Sequence, residues 1–470
     1  MAELDWDALS EFVDGVWDDS ALPNLCDFIE IPALSPAFDA DWNANGHLDA
    51  TIDLFTSWLG TMPLEGLSVN VHRLDGLTPL LLCKVEGTAP GEVLFYSHLD
   101  KQPEFTGWSE GKGPWKPVRE GDWLFGRGSV DDGYGGYAGI ISVLALQQQG
   151  IPHPTCRFII ETCEESGSPD LPAYLAECKD DLGTPDLVVV LDSGMGDYKR
   201  LWVTESLRGL IGGTLSVAVS AEGVHSGMAS GVMPSSFRIA RQLLSRLEDE
   251  ETGALKPDWL HIDISDELRA DSQRICDVLG QALIDDFPFL DGVEAQSTDL
   301  VEALLAQNWR PTLSITGAGG MPPLEQAGNV LRTHTDLKVS VRIPPGVESE
   351  PASEMLKQLL ENDPPHGAHV SMTLDAAANG FAAPSMPTAV DAALDAASQR
   401  FFDRGYMPFY EGGTIPFMAM MQASYPAARY LVTGAAGPGN NAHGPDEKLH
   451  IPTAKAVTKC VSAALVAMCD

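Results

Sequence analysis

The residues able to do chemistry gather at a few places in the chain. His98 and Asp100 close an apolar run, Phe95-Tyr96-Ser97-His98-Leu99-Asp100. Asp131 lies in a glycine-rich stretch, Gly126-Arg127-Gly128-Ser129-Val130-Asp131-Asp132-Gly133, just ahead of an apolar segment. Glu164 and Glu165 follow a second apolar run, Asp192 ends a third, and His443 sits in Asn440-Asn441-Ala442-His443-Gly444. Two imidazoles with several carboxylates and no thiolate form a donor set for Zn²⁺, Mn²⁺ or Co²⁺ rather than a structural cysteine site. Two such ions, about 3.5–4 Å apart, share a bridging carboxylate and polarise a carbonyl under attack. That chemistry also needs a carboxylate free to carry a proton, and the adjacent Glu164 and Glu165 offer one ligand and one base. Taken singly, each residue has an ordinary reading. A strand-end histidine is usually a hydrogen-bonded core residue, and Asp131 could simply cap the helix after it.

The elements that must position these groups are legible as apolar periodicities. Val93–Tyr96, Arg157–Ile160 and Leu187–Leu191 read as buried strands, and Gly135–Gln148 as a helix between the first two. Strands alternating with helices predict a mostly parallel α/β sheet, which binds ligands outside the carboxyl ends of its strands. Helical patterns over Leu4–Trp17, Leu25–Ile29 and Asp49–Leu59 precede it. From about Leu210 the order becomes strand (Thr214–Val219), helix (Ser236–Leu247), strands (Thr312–Ile315 and Leu337–Ile343), helix (Ser353–Leu360) and strand (His369–Leu374). That β-α-β-β-α-β order predicts a ferredoxin-like α+β domain with extra helical material around Asp258–Leu305. The α/β pattern resumes with a helix at Ala389–Phe402, a strand at Tyr430–Val432 and a helix at Ala454–Met468. The expected fold is therefore an α/β catalytic domain, residues 1–209 plus 383–470, with helices on both faces of a mostly parallel sheet. Residues 210–382 interrupt it as an inserted domain.

Composition narrows the partners. The chain has 470 residues, 44% hydrophobic and 20% charged, with a formal net charge of −38. This excess of acid is spread along the chain and disfavours nucleic acid and anionic membrane surfaces. No apolar run reaches the roughly 18 residues of a membrane span, and the acidic start has no basic, apolar leader pattern, so a cytoplasmic setting is expected. The eight cysteines form no CxxC pair, and neither a disulfide nor a thiolate metal site is expected. Cys163 stands beside the candidate site, but neighbouring carboxylates are expected to raise its pKa and suppress the thiolate.

Together, Ser97-His98-Leu99-Asp100, Gly126 to Asp132, Glu164-Glu165-Ser166-Gly167-Ser168, Val224-His225-Ser226-Gly227, Val341-Arg342 and Asn441-Ala442-His443 resemble one family. It comprises the co-catalytic zinc peptidases, which include carnosine dipeptidases, cytosolic nonspecific dipeptidases, glutamate carboxypeptidases and aminoacylases. The motifs occur in the family's order over most of the chain. The resemblance implies two divalent ions per chain, zinc first and manganese or cobalt as alternatives, with Asp131 bridging them. His98 and Asp192 would complete one site, Glu165 and His443 the other. Glu164 would be the general base, taking a proton from the attacking water and passing it to the leaving amine. Asp100 would hold the second nitrogen of His98 and so fix its tautomer. His225, from an inserted lid and dimerisation domain, would reach the partner subunit's site in a homodimer and stabilise the oxyanion. Arg342 would grip a free substrate carboxylate, with Asn329, Gly413 and Thr414 as further substrate contacts.

Two positions depart from the pattern. Gly133 stands where dipeptidase-type relatives often carry lysine, and Asp192 is followed by Ser193-Gly194. The expected activity is hydrolysis of an amide bond in a dipeptide or short peptide with a free C-terminal carboxylate. An N-acyl amino acid hydrolase would use the same groups. A catalytically inactive metal-binding scaffold is disfavoured because Glu164 accompanies all five ligand candidates. Trp108 and Trp115, between two of the ligands, suit either the cleft wall or packing.

Overall fold

In the computed structural model, which describes residues 4–469, the apolar runs form the centre of a six-stranded sheet. Its order across the sheet is Leu67–His72, Leu80–Val85, Thr155–Glu161, Glu92–His98, Leu187–Val190 and Arg429–Val432. The last four run parallel, and the first two add an antiparallel edge. The near-continuous apolar sequences of the central strands follow from this position, since Leu187–Val190 is wholly buried and Glu92–His98 nearly so. The strands end almost level, with His98 opposite Glu161, Tyr96 opposite Val190, and Val190 opposite Val432.

The helix Gly133–Gln148 has no amphipathic stripe, because all but its last two residues are buried. It rests on the stacked rings of Phe95 and Phe158, whose centroids are 4.6 Å apart. A β-carbon at Gly139 would come within 3.1 Å of both rings, so glycine sets that close approach. The C-terminal helix Ile451–Ala467 packs beside it and is equally buried, with Ser462 Oγ donating to the carbonyl of Ser142 at 3.0 Å. At the N-terminus the two expected helices are Trp6–Val16 and Leu22–Glu30, joined by a short π-helical turn, Trp17–Ala21.

The chain forms two compact units. The first contains the chain up to Glu205, Ala383–Phe409 and the chain from Met420, and the second contains Ser206–Ala382 and Tyr410–Ala419. The second unit thus also gathers Tyr410–Ala419, which the apolar pattern leaves with the α/β part. Its hydrogen bonds explain the placement, since the Thr414 hydroxyl donates to the carbonyl of Arg208 at 2.6 Å.

The second unit is built on a four-stranded antiparallel sheet in the order Thr312–Gly319, His334–Ile343, Gly209–Ala218 and His369–Leu374. Burial alternates strictly along His334–Ile343. Leu337, Val339 and Val341 face a core shared with Ile239 and Leu243 of the helix Ser236–Leu247 and with Leu356 and Leu360 of Ser349–Glu361. The β-α-β-β-α-β order and this sheet order are those of a ferredoxin-like domain. Helices Asp266–Leu279 and Leu300–Asn308 fill the expected extra segment. Among the described residues no helix is long and apolar enough to cross a membrane.

Candidate metal centre

The level strand ends place the acidic and imidazole groups in one layer of the first unit. His98 is the last residue of its strand, Asp100 lies two residues on, Asp192 two residues past Val190, and Glu164 three past Glu161. Asp131 arrives from the loop before the helix Gly133–Gln148, and His443 from the loop after Arg429–Val432. Asp131 lies between the two histidines, with one carboxylate oxygen 3.2 Å from His98 Nε2 and the other 2.7 Å from His443 Nε2. Asp192 approaches His98 Nε2 at 3.6 Å, and Glu165 approaches His443 Nε2 at 3.4 Å. Ligand atoms of His98, Glu164 and Asp192 all lie within 4.8 Å of one another, as do those of Asp131, Glu165 and His443. The structure therefore brings all five proposed ligands and Glu164 together, with Asp131 between the two histidines.

The electrostatics of the cluster are those of acid packed against acid. Burial, and then neighbouring charges such as Asp192, push the Glu164 carboxyl well above its usual range. Burial and Asp131 do the same to Glu165 and raise Asp192. Burial works in the same direction on Asp131, but hydrogen bonds with His443 and His98 outweigh it and hold that carboxyl low. His98 is pushed well up by Asp100, Asp131 and Asp192 against the opposing effect of burial, and His443 is raised chiefly by Asp131. Two imidazoles and four carboxylates converging at a cluster open on the His443 side fit a pair of divalent cations, whose charge would relieve this repulsion.

Hydrogen bonds around the cluster add to one expected role. His98 Nδ1 lies 3.1 Å from the main-chain carbonyl of Asp100 and 3.5 Å from its carboxylate, so the carbonyl makes the shorter contact. The Asp100 carboxylate, beside His98, also accepts from the main-chain N–H groups of Glu164 and Glu165, at 3.1 and 3.0 Å, and fixes the turn that presents both glutamates. Gln102, which the sequence left unmarked, donates to Glu165 at 2.6 Å. Arg127 and Glu447 are also new. They form a buried ion pair, Arg127 donating to the carbonyls of His443 and Gly444 at 3.1 and 3.0 Å. Glu447 accepts from Gly128 N at 2.9 Å, so the pair ties the loop of Asp131 to the loop of His443. The Gly126-Arg127-Gly128 stretch was a visible signal for Arg127. Nothing local marks Glu447, because its partner is distant in sequence.

Cys163 is a buried thiol that donates to Glu161 at 3.2 Å. Its pKa is raised first by burial and then by Glu161, rather than by the Glu164–Glu165 pair. Trp108 donates to the Glu104 carbonyl at 2.7 Å, and the Trp115 ring centroid lies 5.4 Å from the ammonium of Lys101, both packing contacts. All eight cysteines are free thiols.

The remaining candidates belong to the second unit, where they form two local groups. Exposed His225 pairs in register with Val330, and Asn329 accepts from Ser226 N at 2.8 Å, so His225 and Asn329 share one short ladder. Arg342, half-buried on the sheet face opposite the core, donates to the Thr414 hydroxyl at 2.6 Å, and exposed Gly413 precedes Thr414. Arg208, absent from the expected set, stands beside Arg342.

The family model for peptidase family M20/M25/M40 matches residues 94–467, a span that contains every group of the metal centre. The chain belongs to this family. It is accordingly a metal-dependent peptidase, on the M20 fold of a mostly parallel catalytic sheet with an inserted α+β domain. Among its relatives, the cysteinylglycine-S-conjugate dipeptidase of Corynebacterium striatum is 24% identical over 402 residues, covering 83% of this chain and 84% of that protein. The Cys-Gly metallodipeptidase dug1 of Schizosaccharomyces pombe is 27% identical over 381 residues, covering 76% and 75%. The dipeptidase Dug1p of Saccharomyces cerevisiae shares the fold, with a TM-score of 0.76, 20% identity, and coverage of 99% of this chain and 98% of that one.

Proposed function

We propose that the protein is a dinuclear metal-dependent dipeptidase that releases the C-terminal amino acid of a dipeptide or short peptide bearing a free carboxylate. The observation that carries this reading is Asp131, whose two oxygens face His98 and His443 while Asp192, Glu164 and Glu165 close around them. The dipeptidase relatives in Corynebacterium striatum and Schizosaccharomyces pombe support it.

His98, Asp192 and Asp131 would hold one ion, and Asp131, Glu165 and His443 the other. Zn²⁺ is the first choice for this donor set, ahead of Mn²⁺ and Co²⁺. When bound, the ions would supply Lewis acidity at the scissile carbonyl and acidify the attacking water. Glu164 would take a proton from that water and return it to the departing amine. Asp100 would hold the second nitrogen of His98 and steady the Glu164–Glu165 turn. His225 would donate to the carbonyl oxygen as negative charge grows there. Arg342, with Asn329, Gly413 and Thr414 beside it in role, would bind the substrate's terminal carboxylate. We assign the 210–382 insertion a lid and dimerisation role, with His225 acting in the partner's site of a homodimer. Eight free thiols suit a reducing, cytosolic compartment.

The test is a hydrolysis panel of free dipeptides against N-acyl amino acids, with Zn²⁺, Mn²⁺ and Co²⁺ added back in turn to chelated protein. Free dipeptides are expected to turn over and N-acyl amino acids to lag. The reverse order would replace the dipeptidase reading with an aminoacylase. In the same assay Glu164→Ala should keep about two ions per chain yet lose roughly three decades of turnover; near-normal activity would refute the proton-transfer role.

A further inference from the structure

The second unit holds two adjacent arginines, Arg208 buried and Arg342 half-buried, that form no ion pair among the described residues. Arg342 and Thr312 are directly paired across antiparallel strands, so their side chains project from the same sheet face. The Thr312 hydroxyl accepts from Arg208 Nη1 at 2.9 Å, and Arg208 Nε donates to the Gly412 carbonyl at 3.2 Å. Thr414 closes the group, accepting from Arg342 and donating to the Arg208 carbonyl. Two guanidinium groups thus share one cluster of hydroxyls and carbonyls. Among the described residues neither makes an ion pair with a carboxylate, although the chain carries 67 acidic against 29 basic residues.

Arg208 is only 8% exposed, and its Nη2 donates to no acceptor among the described residues. Burial, and then the neighbouring Arg342, lower it to about 10, which leaves it charged near neutral pH. A buried cation beside a half-buried one, with no acid paired to either, is costly unless an anion joins them. Arg208 and Thr312 also line a cavity of about 380 Å³, whose other walls include Ile284, Phe287, Phe289, Ala303 and Leu304. Glu294 lines the same cavity without forming a salt bridge to Arg208. A cation at one wall of a largely apolar pocket, whose lining also includes Gln296, Ser297 and Gln307, suits an anionic group carrying a bulky apolar body.

We infer that Arg208 is a second carboxylate-binding residue beside Arg342, and that the adjoining cavity takes a large apolar side chain of the substrate's C-terminal residue. The inference rests on the dipeptidase reading above and names the substrate class: dipeptides ending in leucine, phenylalanine or a similar residue. Two charge-assisted contacts would hold the carboxylate, and burial of the side chain would supply selectivity over glycine.

The experiment compares kcat and KM for dipeptides ending in phenylalanine, leucine and glycine, and for the C-terminal amide of the phenylalanine peptide. Wild type should prefer phenylalanine and leucine over glycine in kcat/KM by roughly tenfold or more. Arg208→Gln should raise KM for the free-carboxylate peptides by roughly 10- to 100-fold while moving the amide far less, with partial rescue by Arg208→Lys. Ala303→Phe, which fills the cavity, and Phe287→Ala, which opens it at an exposed position, should each reduce the preference for phenylalanine. A preference for glycine in wild type, or an unchanged preference in both folded pocket variants, overturns the pocket. Equal KM effects on carboxylate and amide overturn the role of Arg208. Turnover of dipeptides by wild type is read separately, so a protein that cleaves none with any of the three metals overturns the dipeptidase reading instead.

Discussion

At the scale of single residues, the metal centre depends on carboxylates whose protonation the fold controls. Glu161 lies beneath the site and accepts from Tyr96 at 2.6 Å, Ser168 at 2.8 Å and Cys163 at 3.2 Å. Burial nevertheless dominates these donors and raises its carboxyl to about 7. An unfolded glutamate titrates near ~4.3, so the folded state holds this proton more tightly. Its contribution to stability is complete below the unfolded value and is lost as pH rises through about 7. With the metal sites saturated, urea unfolding should therefore show stability falling between pH ~5 and ~7.5 by up to ~3 kcal/mol. Glu161→Gln should flatten that decline; parallel declines in the two proteins would mean another group is responsible. The residue types of the metal centre were legible in the sequence because most follow an apolar strand and the rest lie in glycine-marked loops. Glu161 was not, since its consequence comes from burial among partners that only the fold assembles.

At the scale of elements, the centre is a problem of aligning loops. Strand ends deliver His98, Glu164, Glu165 and Asp192, while Asp131 and His443 come on longer loops that need anchors. The Arg127–Glu447 pair is one anchor, and the start of the helix Gly133–Gln148 is another. There the departure from the lysine of dipeptidase-type relatives has a steric reason. A β-carbon at Gly133 would lie 2.3 Å from the Gly128 carbonyl oxygen and 2.5 Å from the Phe28 ring. Gly133→Ala should accordingly destabilise the protein by about 1–3 kcal/mol, read by chemical denaturation. Metal affinity, measured by competition with a chelator, should weaken with it because Asp131 lies two residues away. A variant of wild-type stability would show that the turn relaxes freely. The periodicities located most elements, but the π-helical turn at Trp17–Ala21 fell largely in the gap between the Leu4–Trp17 and Leu25–Ile29 patterns, where no periodicity marked it.

At the scale of the whole molecule, the proposal assigns metal chemistry to the first unit and oxyanion and carboxylate recognition to residues of the second. If His225 serves a partner's centre, then His225→Ala and Glu164→Ala proteins, each inactive alone, should regain activity when mixed under conditions that exchange subunits. A statistical mixture would restore at most about a quarter of wild-type turnover, since only one of the two sites in a hybrid dimer is whole. No recovery despite exchange shown by native mass spectrometry would place His225 in its own subunit's site or outside catalysis. By itself the sequence determined the fold class, the inserted β-α-β-β-α-β domain and the metal-binding residue types, because apolar periodicity and strand-end position are local properties. Only the tertiary structure decided that Asp131 faces both histidines, that Asp100 holds the glutamate turn, and that Arg208 joins Arg342 with no ion pair among the described residues. Each of those facts is a distance between residues far apart in the chain, and such distances are set by packing rather than by spacing along the sequence.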